Sequence, residues 1–299
     1  MRAFACFVGL ILIGFAAIAG LTYPAWLLLH PAFHFPFHRI GDRIGMLALA
    51  IGFLLVAGRL RLSDRVSLGY GVPRREFLRE MSIGLALGIA TMTAVVAVMT
   101  ALGLLDWTQA TQITGAAVIK LVLLRLLSGL AVGFIEETFL RGAMLTAIER
   151  ESGARAAVLL TAIVYSATHF FASFKIPPDR VGAWSGIELL AGTLHSFAQP
   201  LGIADAFLCL LAVGLVLGII RLTTGNIAAC IGLHAGWVWV MLVVHELSQP
   251  LRTARLAFLL SSFDGFVGWL VLAWTMLIGL GLRWFYTRRG ARRHGITTS

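Results

Sequence analysis

The chain has 299 residues, of which 59% are hydrophobic and 13% are charged, and its mean hydropathy is +0.90. Soluble domains carry about 25% charged residues, so this composition excludes an ordinary water-soluble fold. It also excludes intrinsic disorder, because disordered chains combine low hydrophobicity with high charge. We therefore predict an integral membrane protein of the all-α class, a polytopic helical bundle surrounded by the lipid bilayer.

The formal net charge is +10, from 24 Lys and Arg residues against 14 Asp and Glu residues. In membrane proteins such positive charge concentrates in short cytoplasmic loops beside anionic headgroups. Since the sequence contains no RNA- or DNA-binding motif, we predict no nucleic-acid partner. The three cysteines lie in apolar stretches and are interpreted as small core residues: Cys6, Cys209 and Cys230.

Eight apolar stretches are candidate membrane spans, because a bilayer core about 30 Å thick needs roughly 20 helical residues. Their approximate bounds are 4–29, 44–58, 81–105, 117–134, 154–173, 201–221, 226–247 and 264–286. With the N-terminus inside, sixteen of the 24 Lys and Arg residues, Arg221 among them, fall in predicted cytoplasmic segments and six in predicted outer loops. The positive-inside rule therefore predicts that both termini are cytoplasmic.

The first apolar run permits two interpretations. Arg2, the long apolar stretch and the small residues around Ala17 and Ala19 fit a secretory signal with a cleavage site. The run is longer than the usual apolar core of a signal peptide, which favours a retained anchor.

Ionisable residues inside apolar spans are the most informative, since burying them in lipid is costly and they usually face a bundle interior. Glu136 and Glu137 follow an apolar run, and no Gly or Pro separates them from Arg141, so we predict that the helix continues through this arginine. Glu137 and Arg141 are then spaced i, i+4 and can form an ion pair. Glu136 points about 100° away, towards a cavity. The alternative is a helix end with ordinary interfacial charges.

Two histidines lie in other predicted spans: His169 late in the fifth and His234 about one third of the way along the seventh. A single histidine in a helix is more often a hydrogen-bonded core residue than a catalyst. Two imidazoles and one unpaired carboxylate, however, are sufficient for general acid–base activation of water. The predicted spans place Glu136 towards the cytoplasmic side and His169 farther out, so their depths disagree.

Three blocks of sequence together carry a resemblance to a known family. They are Glu136-Glu137-x-x-x-Arg141, Tyr165-x-x-x-His169, and the stretch 225–237 that contains His234. In this order they resemble the CPBP family, which comprises CAAX prenyl proteases and bacteriocin-processing enzymes and is also called the Abi family. The resemblance covers about residues 118–242. It implies an intramembrane endopeptidase that cuts a peptide or membrane-protein substrate.

The resemblance also implies a role for each matching residue. Glu136 is expected to act as the general base that activates the hydrolytic water, with assistance from His169. Glu137 and Arg141 are expected to be the supporting pair. His234 is expected to polarise the scissile carbonyl and stabilise the oxyanion, a task that needs a donor aimed at developing charge.

The sequence departs from the family pattern at two positions. Tyr165 stands where the second motif usually begins with Phe, and it adds a hydroxyl group. Val238 stands four residues after His234, where the family often has Asn or Asp. Because valine offers no hydrogen-bond donor, the oxyanion site is incomplete, supplied by another group, or idle. The alternative function is a non-catalytic family member with an immunity, assembly or binding role.

The family has been described both as metalloproteases and as glutamic-type proteases. A zinc site requires Glu136, His169 and His234 to converge as three ligands with an open fourth position. A water-activating site requires only hydrogen-bond contacts, and the sequence contains no HExxH motif. We therefore favour a site without a cofactor, with zinc on these three ligands as the alternative.

The expected location is a bacterial inner membrane. These interpretations divide the chain into four regions. They are an N-terminal pair of spans with a basic cytoplasmic loop (1–80), a third span with an outer loop (81–117), a CPBP-like catalytic core (118–242), and a C-terminal span with a basic cytoplasmic tail (243–299).

Overall fold

The structure is a computed structural model that describes residues 1–172 and 174–293. Its α-helices are α1 Arg2–Phe33, α2 Phe37–Ala57, α3 Arg74–Ala101, α4 Gly115–Glu137, α5 Leu145–Thr168, α6 Ser185–His195, α7 Pro200–Thr224, α8 Ala228–Leu247 and α9 Trp269–Arg293. A π-helical segment, Thr138–Met144, joins α4 to α5. Two short strands, β1 Leu105–Asp106 and β2 Gln249–Pro250, pair in the antiparallel direction. The predicted all-α class is confirmed.

Short 3₁₀ turns occur in the connections between these helices. They are Thr108–Gln112, His169–Ala172, Pro178–Arg180, Ser196–Ala198 and Ala257–Leu259.

Within the described ranges, seven segments are long and apolar enough to cross a membrane. One of them, Gly115–Thr168, has 54 residues and contains the fourth predicted span and most of the fifth. Large apolar side chains point outward, including Leu54 at 74% and Leu201 at 92% exposure. Such exposure suits contact with lipid tails, and the prediction of a polytopic membrane bundle with about eight spans is confirmed.

The long segment is divided by a reversal at Gly153. This residue has φ 82° and ψ 166°, a backbone conformation that residues other than glycine rarely adopt. Arg141 and Tyr165 each lie twelve residues from Gly153, and the Arg141 guanidinium lies 4.7 Å from the centre of the Tyr165 ring. The two arms of the segment therefore run side by side as a helical hairpin.

Helix α8 packs closely against both α3 and α4 through small residues. A Cβ atom on Gly236 would lie 2.7 Å from the Leu85 carbonyl of α3, and one on Gly129 would lie 2.8 Å from the Ala235 carbonyl of α8. Glycines spaced by four let membrane helices approach at backbone distance, and each of the three helices has such a pair: Gly84 and Gly88, Gly129 and Gly133, and Gly232 and Gly236. This packing holds the centre of α8 against the end of α4.

Two apolar cores surround these central helices. One joins α3, α7, α8 and α9 and contains Val95, Leu217 and Leu233. The other joins the hairpin to α1 and α7 and contains Phe7 and Ile148. The two cysteines of α7 and α8 are fully buried, which agrees with their interpretation as core residues.

The basic loop 58–73 lies against the hairpin. Arg150 donates a hydrogen bond to the Ser67 hydroxyl at 2.7 Å, and the Tyr70 hydroxyl is hydrogen-bonded to the Thr138 hydroxyl at the start of the π-helical segment. Burial raises the pKa of Tyr70, so its phenol stays protonated over a wide range of pH. The loop thereby stabilises the helix just after Glu136 and Glu137.

Candidate active site

The end of α4 buries a carboxylate in an ion pair. Glu137 and Arg141 are both fully buried, and Arg141 Nη1 lies 3.0 Å from Glu137 Oε1. The same oxygen lies 2.8 Å from His234 Nδ1, and Arg141 Nη2 donates to the Gly214 carbonyl at 3.3 Å. The pair expected from the i, i+4 spacing is formed. Sequence spacing did not indicate that His234 is the second partner of Glu137.

Arg141 lies within the π-helical segment, and its carbonyl accepts a hydrogen bond from Arg221, which was predicted to lie in a cytoplasmic segment. Arg221 of α7 is buried, and its Nε donates to the Arg141 carbonyl at 3.2 Å. Its Nη2 lies 3.4 Å from the Thr146 hydroxyl. Wide π-helical turns occur frequently at functional sites. The position of Arg221 in an apolar run, three residues before the helix ends at Thr224, was the available signal for a buried arginine.

Glu136 has a different environment from its neighbour. Its side chain is 34% exposed, and its Oε2 lies 4.0 Å from His234 Nε2. This oxygen has no hydrogen-bond partner in the described ranges. A separation of 4.0 Å is too long for a direct hydrogen bond but leaves room for a bridging water. The two carboxylates therefore differ as expected. Arg141 neutralises Glu137, whereas Glu136 Oε2 has no hydrogen-bond partner among the described residues.

His169 is oriented by its own helix. Its Nδ1 lies 2.8 Å from the Tyr165 backbone carbonyl, and the two rings are 4.4 Å apart. Because a carbonyl oxygen only accepts, Nδ1 carries the proton, and Nε2 of the neutral ring is an acceptor. The Tyr165 ring also contacts the His234 ring edge-on at 5.8 Å, so one tyrosine lies between the two histidines.

The two histidines line one cavity of about 220 Å³. Its wall is mainly apolar and includes Val238. The polar side chains that line it are Thr91, Tyr165, His169, His234, Asp264 and Thr275. Asp264 was not singled out from the sequence, because it lies in the connection before α9, outside the three motif blocks.

The structure corrects the expected difference in depth between Glu136 and His169. The predicted span ended at residue 134, but the helix continues through the π-helical segment to the reversal at Gly153. Glu136 lies seventeen residues before that reversal and His169 sixteen after it. At a rise of 1.5 Å per residue, both lie about 25 Å from the turn and therefore at similar height.

The ligand set of the zinc alternative is not assembled in this structure. In the part of the chain that the structure describes, no group of three or more His, Cys, Asp or Glu side chains is arranged to hold a metal ion. The Nδ1 atoms of His169 and His234 are each occupied by an oxygen acceptor. With Nδ1 bonded in this way, Nε2 of each neutral histidine remains the atom that could accept a hydrogen bond from water or bind a metal ion.

Comparison with known proteins places the motif blocks in a family. Residues 118–240 match the family model described as type II CAAX prenyl endopeptidase Rce1-like. This family is part of the CPBP family. The resemblance is thereby confirmed over a segment that makes up less than half of the chain. No curated protein and no solved structure matches the chain at a significant level.

At the family level, the match supports a CAAX-type intramembrane protease, a peptide hydrolase. The Rce1-like segment contains Glu136, His169 and His234. Part of the cavity wall comes from outside it, because Thr91 of α3 and Trp274 of α9 also line the cavity. The cavity wall therefore combines residues of the Rce1-like segment with residues of helices outside it.

Proposed function

We propose that the protein is an intramembrane endopeptidase that hydrolyses a peptide bond in a membrane-associated protein or peptide. The observation that carries this proposal is that Glu136 faces His234 beside a cavity that His169 also lines, all three within the Rce1-like segment. Glu136 Oε2 lies 4.0 Å from His234 Nε2, and His169 and His234 line one cavity. Glu136 is not among the described residues that line the cavity, so we propose that a water bridging Glu136 and His234 Nε2 reaches a substrate carbonyl there.

The proposed reaction begins with Glu136 as the general base. Its carboxylate removes a proton from the water, while the water oxygen attacks the carbonyl carbon of the scissile bond. The carbonyl electron pair moves to oxygen and forms a tetrahedral oxyanion. Glu136 then returns the proton to the amide nitrogen as the carbon–nitrogen bond breaks. His169, whose Nε2 is an acceptor in the neutral ring, orients the water.

Glu137 and Arg141 support the reaction through His234. The Glu137 carboxylate accepts a hydrogen bond from Nδ1 of His234. This bond orients the ring so that Nε2 faces Glu136. Arg141 neutralises the carboxylate. With Nδ1 bonded to Glu137, His234 can donate from Nε2 to the oxyanion only when both ring nitrogens carry a proton.

Replacement of Glu136 by Gln tests the proposal. Removal of a general base typically lowers the rate by about 10²–10⁴-fold, so Glu136→Gln is expected to lower kcat by that factor. The probes are a farnesylated CAAX peptide, its unprenylated counterpart, and membranes of expressing cells in which newly formed peptide termini are mapped by mass spectrometry. The matched control is Glu188→Gln, which removes a carboxylate from an exposed ion pair with Arg180.

Cleavage that depends on Glu136 and survives Glu188→Gln supports the proposal. Equal cleavage by wild type and Glu136→Gln would reject Glu136 as the base. If wild type released no product from either peptide and no new termini in membranes, the hydrolytic function would be rejected. The non-catalytic alternative, which the apolar Val238 favours, would then replace it.

A further inference from the structure

The two departures from the family pattern meet in one cavity. Tyr165 and Val238 both line it, together with His169 and His234. Val238 lies four residues after His234 and thus on the same face of α8. The wall of a single site therefore has a hydroxyl-bearing residue at 165 and an apolar residue at 238.

The Tyr165 ring is held by aromatic and cationic neighbours. The side chain is only 3% exposed. The Arg141 guanidinium lies 4.7 Å from its ring centre, and the rings of His169 and His234 lie at 4.4 Å and 5.8 Å. A tyrosine has few rotatable bonds, so these contacts fix its hydroxyl relative to both histidines without reorganisation during the reaction.

The Tyr165 hydroxyl forms no hydrogen bond with a residue in ranges 1–172 and 174–293. Buried tyrosine hydroxyls usually have such a partner. Two other donors of the wall are engaged: Trp237 Nε1 donates to the Thr91 hydroxyl at 2.9 Å, and this hydroxyl donates to the Leu87 carbonyl at 2.7 Å. The phenol is therefore a donor without a hydrogen-bond partner in the described ranges, on a residue that lines the cavity.

The histidines do not provide an uncharged donor to the cavity. Each directs Nδ1 to an oxygen acceptor, the Tyr165 carbonyl for His169 and the Glu137 carboxylate for His234. The Nε2 atom of each neutral ring is thus an acceptor. A tetrahedral oxyanion requires a donor, and Val238 has none.

We propose that the Tyr165 hydroxyl is a catalytic group that donates a hydrogen bond to the oxyanion and replaces the donor absent at Val238. The inference rests on the proposed hydrolytic function. As water attacks the carbonyl carbon, negative charge develops on the carbonyl oxygen, and the phenol stabilises it while keeping its own proton. When the carbon–nitrogen bond breaks and the carbonyl re-forms, the hydrogen bond weakens.

Substitution of Tyr165 by Phe tests this role, because phenylalanine keeps the ring contacts with Arg141, His169 and His234. Loss of one oxyanion donor costs about 10²–10³-fold in kcat, and we expect that loss for Tyr165→Phe with the farnesylated and unprenylated CAAX peptides, while KM and the unfolding temperature stay near wild type. Adding Val238→Asn to Tyr165→Phe is expected to recover at least about tenfold in kcat, because it supplies an amide donor to the same cavity.

The matched control is Tyr286→Phe. Tyr286 is a buried tyrosine of α9 whose hydroxyl also has no hydrogen-bond partner in the described ranges, and it does not line the cavity. The Tyr286→Phe substitution is expected to leave kcat unchanged. Wild-type kcat in Tyr165→Phe, with Glu136→Gln inactive, would overturn the role of Tyr165 and leave the proposed function intact. A loss that Val238→Asn does not reverse would overturn the exchange of donors.

Discussion

The carboxylate of Glu137 is fully buried and shares one oxygen between Arg141 and His234. An isolated charge at this depth would be unstable, because moving an ion out of water costs several kcal/mol that only a close partner offsets. Arg141 provides that partner and also contacts Tyr165. The carboxylate that Arg141 neutralises is therefore the same group that holds His234 in position.

Arg141→Ala is therefore expected to destabilise the protein and reduce activity. Removing one member of a buried ion pair typically costs about 3–5 kcal/mol, which would appear as a clearly lower unfolding temperature in detergent. Arg180→Ala is the matched control, since its pair with Glu188 is exposed and such pairs contribute about 0–1 kcal/mol. Equal unfolding temperatures for the two variants would contradict the buried charge pair.

Sequence spacing predicted the pair of Glu137 with Arg141, because four residues in a helix bring side chains to one face. The bond from His234 to Glu137 joins residues 97 apart. No local period indicates such a contact. It depends on the packing of α8 against α4, where glycines on both helices allow close approach.

The helical hairpin, whose reversal lies inside α5, sets the height of Glu136 and His169. Its reversal lies at Gly153, and Glu136 and His169 are nearly equidistant from it. The fourth predicted span ended at residue 134, although the helix itself was predicted to continue through Arg141. The pairing of Glu137 with Arg141 and the contacts of Arg221 allow the helix to continue in the interior.

Gly153→Ala tests the geometry of this hairpin. A side chain in the region of φ 82° and ψ 166° is strained by about 1–3 kcal/mol, so we expect a lower unfolding temperature and a lower kcat. Gly182→Ala is the control, because a Cβ atom there meets no other atom within 4 Å and its φ is not positive. An unchanged unfolding temperature in Gly153→Ala would contradict the tight reversal.

The bundle combines a family segment with helices that lie outside it. Residues 118–240 contain the carboxylates and histidines, whereas α3 and α9 complete the cavity wall. Composition predicted the membrane bundle, since 59% hydrophobic residues leave few alternatives. It did not indicate which helices meet around the cavity, because lipid-facing and core-facing helices are equally apolar.

We propose that both termini are cytoplasmic, as the distribution of Lys and Arg indicates. A fluorescent protein fused after residue 299 is expected to fluoresce, whereas alkaline phosphatase fused at the same position is expected to be inactive. Insertion of the same reporters in the predicted outer loop 174–200 should give the opposite result. Active phosphatase at the C-terminus would reverse the proposed orientation.

The sequence by itself determined the membrane environment, the α-helical class, the ion pair of Glu137 with Arg141 and the set of motif residues. These features follow from composition, helical period and short motifs, all of which are local in the chain. Only the tertiary structure decided that His234 bonds to Glu137, that Arg221 holds the π-helical segment, and that Tyr165 and Val238 line one cavity. The physical reason is that these contacts depend on where helices reverse and how closely their backbones approach.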